Sequence, residues 1–156
     1  MTRLFLYMTA LLALIGALST AHAQPLRLQI TEGVIEPMPF AVPSFVPENS
    51  AGSEYAQPLA RVVAANLSNT GLFREVPRDA HIARVSSFDA SVSYSDWRAI
   101  NVQALITGAV EVSGNRMTVK FRLFDVTSGQ QMGQGMQFSG STANWRRMAH
   151  KVSDAV

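Results

Sequence analysis

Val102-Gln-Ala-Leu-Ile-Thr-Gly-Ala-Val-Glu-Val112, then Ser113-Gly-Asn-Arg116, then Met117-Thr-Val-Lys-Phe-Arg-Leu-Phe-Asp-Val126 follow one another without a break. In the last run Met117, Val119, Phe121 and Leu123 alternate with Thr118, Lys120 and Arg122. A period of two places the apolar set on one face of a strand, whereas a helix would scatter it. Gly114-Asn115 supplies residues that tolerate positive φ between the two runs, which predicts a hairpin. Leu105 to Val112 is small and apolar almost throughout, which predicts a strand covered on both faces. A second turn at Thr127-Ser128-Gly129 leads into a weaker third strand, Gln130 to Gly140. The stretch predicts a meander at the core of an α/β domain, with Phe121 in the core shared by sheet and helices.

Outward from the meander, helical patterns flank it. Ser53 to Thr70 carries Leu59, Val62, Val63, Asn66 and Leu67 at helical spacing, and Gly71 stands where a C′ glycine closes a helix. Pro58 is tolerated only near a first turn, which predicts a regular helix from about Gln57. Asn66, on the apolar stripe, reads as a hydrogen-bonded boundary residue. Leu72 to Val76 predicts a strand ended by Pro77. Arg78 to Val92 is polar and rich in serine, a surface loop or a strand and loop, and His81 within it has no evident partner. Ser93 or Ser95 is expected to cap a short helix through Trp97 and Ile100, and Asn101 to take the left-handed position before the central strand. After the meander, Ser141 or Thr142 is expected to cap a last helix with Trp145, Met148, Ala149 and Val152 on one face. No glycine, asparagine or proline closes that helix before Val156, which predicts a truncated product.

The amino-terminal end reads differently. Arg3, the apolar run Leu4 to Leu18 and Ala21-His22-Ala23 form the three regions of a secretory signal peptide over residues 1–23, with cleavage after Ala23. The run falls short of the ~20 residues of a membrane span, so no stable membrane insertion is expected. The mature domain then covers 24–156. Leu26, Leu28 and Ile30 alternate with Arg27 and Gln29, which predicts a short strand at the new terminus, turned by Glu32-Gly33. Pro37, Pro39, Pro43 and Pro47 frame Phe40-Ala41-Val42 and Ser44-Phe45-Val46. Because each proline removes a ladder donor, this strand is expected to be interrupted, at an edge or bulged.

Composition narrows the chemistry. With 156 residues, 47% hydrophobic and 15% charged, the chain suits one domain with a sizeable core. Its net charge is +2 and no cationic run exceeds Arg146-Arg147, which argues against a nucleic-acid partner. The absence of cysteine removes disulfides, thiolate metal sites and cysteine nucleophiles. No G-x-S-x-G, H-E-x-x-H, Walker loop or G-x-G-x-x-G occurs. Gly133 and Gly135 fall inside a strand, where a bulge or close packing explains them. His150, beside Arg147, Lys151 and Asp154, reads as a solvated helix residue. Glu111 and Asp125, on different strands of the hairpin, read as charges that protect an edge. No catalytic, cofactor-binding or metal-binding residue is assigned.

Four stretches carry a resemblance. They are Leu26-Arg-Leu-Gln-Ile-Thr-Glu-Gly-Val34, Pro39-Phe-Ala-Val-Pro-Ser-Phe45, Val62-Val-Ala-Ala-Asn-Leu-Ser-Asn-Thr-Gly-Leu-Phe73 and Trp97-Arg-Ala-Ile-Asn-Val-Gln-Ala-Leu-Ile-Thr-Gly108. In order and spacing the mature chain resembles the amino-terminal domain of the TolB family, the periplasmic component of the Tol–Pal envelope system of Gram-negative bacteria. Where that family often has glycine before the central strand, this sequence has Asn101. The resemblance implies a three-layer α/β domain with a mixed central β-sheet flanked by helices, followed in the family by a β-propeller that this chain lacks. It implies a non-enzymatic interaction module in the periplasm that supports outer-membrane integrity and cell division. The family's partner TolA is offered the mature amino-terminal segment, which maps to Gln24, Pro25, Leu26, Arg27, Leu28, Gln29, Ile30, Thr31, Glu32 and Gly33. The lipoprotein Pal is a partner of the propeller and is expected only for a longer protein. A periplasmic ligand-binding or hydrolytic domain, or an outer-membrane accessory module of similar fold, is the alternative.

Overall fold

A computed structural model describes residues 36–156. The expected signal peptide and the expected strand at 24–31 lie outside the described residues. In chain order the elements are β1 (Met38–Ala41), β2 (Val46–Pro47), helix α1 (Ser53–Asn69), β3 (Phe73–Glu75), helix α2 (Tyr94–Ala99), β4 (Ala104–Ser113), β5 (Arg116–Asp125), β6 (Gln130–Ser141) and helix α3 (Trp145–Asp154). Short 3₁₀ turns occupy Ser50–Gly52, Arg78–Ala80 and Thr142–Asn144.

The meander forms as its pattern predicts. β4 and β5 pair antiparallel from Ala104↔Asp125 to Ser113↔Arg116. Two residues therefore make the turn, and of these only Gly114 has positive φ, at 58°, which is the II′ arrangement. Met117, Val119 and Phe121 are buried on one face of β5, while Phe124 and Val126 are buried on the other. β4 is buried on both faces over Ala104–Val110. Between Phe121 and Leu123 the β5–β6 register shifts, so that Met136 and Met132 stand opposite residues only two apart. Gly133 takes a φ of 65° there, and the bulge accounts for the Gly133/Gly135 pair.

The full sheet is mixed, in the order β3-β1-β4-β5-β6, with β2 also pairing with β4. β1 runs parallel to both β3 and β4. Pro43 does interrupt the proline-rich segment into β1 and β2, but β1 lies inside the sheet and not at its edge. The reason is the direction of each rung. Met38 donates to the Leu72 carbonyl and Phe40 accepts from Val76, both on the β3 side, while Pro39 accepts from Gln103 on the other side. The N–H that Pro39 lacks faces β4 one rung before β4 begins, so no ladder bond is lost.

α1 and α3 cover one face of the sheet, packing Leu59, Val63, Met148 and Val152 against Phe40, Ile106, Val119 and Phe121. α2 and the segment that precedes it cover the other, gathering Trp97, Leu105, Phe124 and Val126. These are the three layers. α1 starts at Ser53, as the Ser53 to Thr70 pattern predicts, and it is regular from there rather than from about Gln57, with Pro58 inside it. Asn49 sets the start: its Oδ1 accepts from Gly52 N at 2.9 Å and its Nδ2 donates to the Val112 carbonyl at 2.8 Å. That cap anchors the turn before α1 to β4, and Pro58 omits one donor early in the helix. Gly71 closes α1 at φ 74° and Asn101 stands at φ 60° before β4, as their residue types require. Ser93 does not cap α2; its hydroxyl meets that of Ser95 at 3.3 Å. Ser141 caps the turn before α3 by accepting from Ala143 N. α3 leaves regular hydrogen bonding at Asp154, ahead of the last residue.

Candidate interaction surface

The predicted partner-binding residues, Gln24 to Gly33, lie outside the described residues. What the structure places is their point of attachment: the chain enters the sheet at Met38, where β1 begins between β3 and β4. The first turn of the domain beyond that point is fixed by buried Phe40, Ala41 and Val42.

Among the described residues, the sheet's long open margin is β6. It has 12 residues, Gln130 to Ser141, none of them charged, and most are exposed. Its outer edge pairs with no strand among the described residues. Natural edge strands are commonly blunted by lysine, proline or a bulge; here only the bulge at Gly133 interrupts the row of main-chain donors and acceptors. Met132, 53% exposed, and Met136, 44% exposed, project on the helix-bearing side, opposite Leu123 and Phe121. Phe138 stacks on Phe121 at 6.1 Å between ring centroids. A margin of this kind can accept the main chain of an extended segment, with its methionines as adaptable apolar contacts.

The opposite side of the same margin carries cations. Lys120 Nζ lies 2.8 Å from a Glu48 carboxylate oxygen, which pins the end of β2 to β5. Arg122 pairs with Asp89 and lies with its guanidinium 4.4 Å from the centre of the Phe88 ring. These contacts hold the 82–93 segment against β5, a role that neither cation's alternation pattern could reveal. Glu111 and Asp125 do not face each other: Glu111 stands opposite Thr118, and Asp125 opposite Ala104. Asp125 instead accepts from the backbone N–H groups of Thr127 and Ser128 at 2.8 and 3.1 Å. Hydrogen bonding from Ser128 holds its carboxyl below the usual carboxylate range. Asp125 is therefore a turn residue.

Two histidines gain partners that the sequence did not reveal. Asn66 Nδ2 donates to His150 Nδ1 at 2.8 Å and to Ser153 Oγ at 3.0 Å, tying α1 to α3. This confirms Asn66 as a bonded boundary residue and makes His150 part of a helix–helix contact. His81 lies edge-on to Trp97, with ring centroids 5.1 Å apart, and its Nε2 is 3.1 Å from the Val76 carbonyl. Burial lowers the His81 pKa, against the bond to Val76, which favours the charged ring.

A pH dependence follows with a fixed sign. Neutral His81 contributes stability that is full above the unfolded-state value of about 6.5 and is lost as pH falls below it, toward the lower folded value. The thermal midpoint should fall between about pH 7.5 and about pH 5.5, and His81→Gln, which cannot charge, should shrink that fall. An unchanged fall in the variant would locate the dependence elsewhere.

Among the described residues, no three or more His, Cys, Asp or Glu side chains converge as a metal site would require. No helix among them is long and apolar enough to cross a membrane.

Comparison with known proteins bears on this arrangement. The family model described as TolB amino-terminal domain matches residues 26–132. A protein of Cereibacter sphaeroides named Tol-Pal system protein TolB is 64% identical over 149 residues, covering 94% of this chain and 34% of that protein. The protein of the same name from Roseobacter denitrificans is 55% identical over 155 residues, covering 99% of this chain and 35% of its own length. The chain thus spans about a third of the length of the curated relatives it matches. In three dimensions it is similar to the crystal structure of TolB from Acinetobacter baumannii. The TM-score is 0.60 at 21% identity, over 77% of this chain and 27% of that one. At that identity the likeness speaks for the fold alone.

Proposed function

The chain belongs to the TolB amino-terminal domain family, and from that premise we propose that it is a non-enzymatic interaction module of the Tol–Pal system. It acts in the periplasm after cleavage at Ala23 and supports outer-membrane integrity and envelope constriction in cell division. Its mature terminal segment, Gln24 to Gly33, binds TolA. The observation that carries this reading is the extent of the family match, which begins at Leu26 and so takes in the alternating Leu26, Leu28 and Ile30. A short alternating strand at a free terminus can add to a partner's sheet edge, where main-chain hydrogen bonds supply affinity and the apolar side chains fill pockets. Arg27 and Gln29 tune orientation. Contact with Pal belongs to a longer protein that carries the propeller.

Deleting Gln24 to Thr31 tests the assignment. The proposal expects the thermal transition to persist in the deleted protein while TolA binding in calorimetry disappears. Survival of binding, or collapse of the domain on deletion, overturns the proposal.

A further inference from the structure

We propose that the open edge of β6 takes an extended, acidic segment of a partner protein as an added strand, with the anionic end of that segment beside α3. The edge pairs with no strand among the described residues, and none of the 12 residues of β6 carries a charge. The charge stands next to it instead. From Arg116 to Val156 the chain has six Arg and Lys against two Asp. On one side of the sheet Lys120 and Arg122 are taken up by Glu48 and Asp89. On the helix-bearing side Lys151 Nζ lies 5.6 Å from the centre of the Phe138 ring, which puts the ammonium over the edge strand. Arg147, exposed and one helical turn earlier, shares that face of α3. Among the described residues neither cation is in an ion pair. Asp154, the one anion of α3, is the last residue of the helix.

The setting of α3 decides what the edge accepts. Met148, Ala149 and Val152 are buried against the sheet, and His150 and Ser153 meet Asn66 of α1. Arg147 and Lys151 therefore fall on the flank of α3 that faces away from α1. Beside that flank β6 has two zones: Met132 and Met136 are exposed toward one end, and Phe138 lies under Lys151 toward the other. A strand added to this edge sends alternate side chains to the helix-bearing side. Apolar residues fit there opposite the methionines, and carboxylates fit beneath the two cations. Main-chain hydrogen bonds to β6 supply the pairing, and the carboxylates fix its register. A second copy of this chain fits worse. Pairing about a two-fold axis sets the two β6 strands about 4.8 Å apart and turns the Arg147 and Lys151 flanks toward each other, like charge against like.

The test is a heteronuclear NMR titration of the full chain with the peptide acetyl-Glu-Thr-Glu-Thr-Val-Thr-Val-amide, ordered for antiparallel addition. Saturable shifts are expected at the amides of β6, Gln137 and Phe138 above all, and at Lys151. Acetyl-Lys-Thr-Lys-Thr-Val-Thr-Val-amide should bind wild type about tenfold more weakly, the combined effect of two exposed charge pairs. The double variant Arg147→Glu, Lys151→Glu should invert that preference, a gain of binding that misfolding cannot mimic. N-methylation of alternate peptide amides should abolish binding in one phase and spare it in the other, since only every second amide faces β6. An absence of saturable shifts in β6, equal affinity for the two peptides, or an unchanged preference in the double variant would each overturn the proposal. So would β6 shifts that arise on concentrating the protein alone, which assign the edge to a second copy, or β6 shifts on deleting Gln24 to Thr31, which assign it to the chain's own terminus.

Discussion

Replacing Phe121 by alanine is expected to destabilise the domain by ~3–5 kcal/mol, the range for truncating a buried aromatic side chain. The residue is 3% exposed and stands at the centre of β5, in the core built with α1 and α3. Its ring stacks on Phe138 of β6, so truncation opens a void and also strips the inner contact of the one aromatic residue on the open edge strand. Collapse around the void is restricted, because Val119 and Met117 beside it are themselves fully buried. Urea denaturation gives the number. Lys120→Ala, one residue away on the other face, serves as the control: its ion pair with Glu48 is partly exposed, and such pairs contribute ~0–1 kcal/mol. A Phe121→Ala cost under ~1 kcal/mol would place the ring outside the core and contradict the register.

That register was legible because a period of two is a local signal. The alternation of Met117, Val119 and Phe121, with Gly114-Asn115 ahead of it, specifies both faces and the turn without reference to the rest of the chain. The β6 bulge was legible for the same reason, since glycine inside a strand has few uses. The parallel pairings were not. Nothing local in Pro39-Phe40-Ala41 says that β1 lies between β3 and β4, because the rung that tolerates a proline is known only once both neighbours are placed. The helix at Ser53 to Thr70 was legible from its spacing; only the delay of its regular part to about Gln57, argued from Pro58, fails, and Asn49 ahead of Ser50-Ala51-Gly52 was an available capping signal.

The candidate surface divides in the same way. Gln24 to Gly33 is legible as an alternating strand, but its assignment to TolA rests on the family. The open margin at β6 could be seen in part: twelve residues without a charge are visible in the sequence, whereas their position at the end of the sheet is tertiary. Thr107 could not be singled out at all. Within Leu105 to Val112 it reads as an ordinary β-branched strand residue, and only the tertiary structure shows it to be the one buried polar residue among the described residues. His81 was opaque for the related reason that burial, not spacing, shifts its titration.

Gly108→Ala is expected to destabilise the domain by ~1–3 kcal/mol, the cost of overpacking a tight core. Local preference points the other way, since alanine for glycine inside a strand should gain roughly 0.5–1 kcal/mol of backbone entropy. Packing decides. A Cβ at Gly108 would come within 2.6 Å of Cε2 and Cζ of Phe45, closer than any real contact allows. The Phe45 ring is 1% exposed, and its backbone N–H is held by the Ala56 carbonyl of α1 at 3.2 Å, so ring and backbone have little room to yield. The same closeness explains why the central strand carries glycine there: Phe45, at the entry to β2, fills the space a side chain would occupy. A double-mutant cycle isolates this contact. Phe45→Leu alone should lose stability by leaving a cavity, but in its presence Gly108→Ala should cost less, because the methyl enters the space that the ring has vacated. Strictly additive effects, or a neutral Gly108→Ala in the wild-type background, would show that the ring moves aside freely and that β4 and β2 are not locked together at this point.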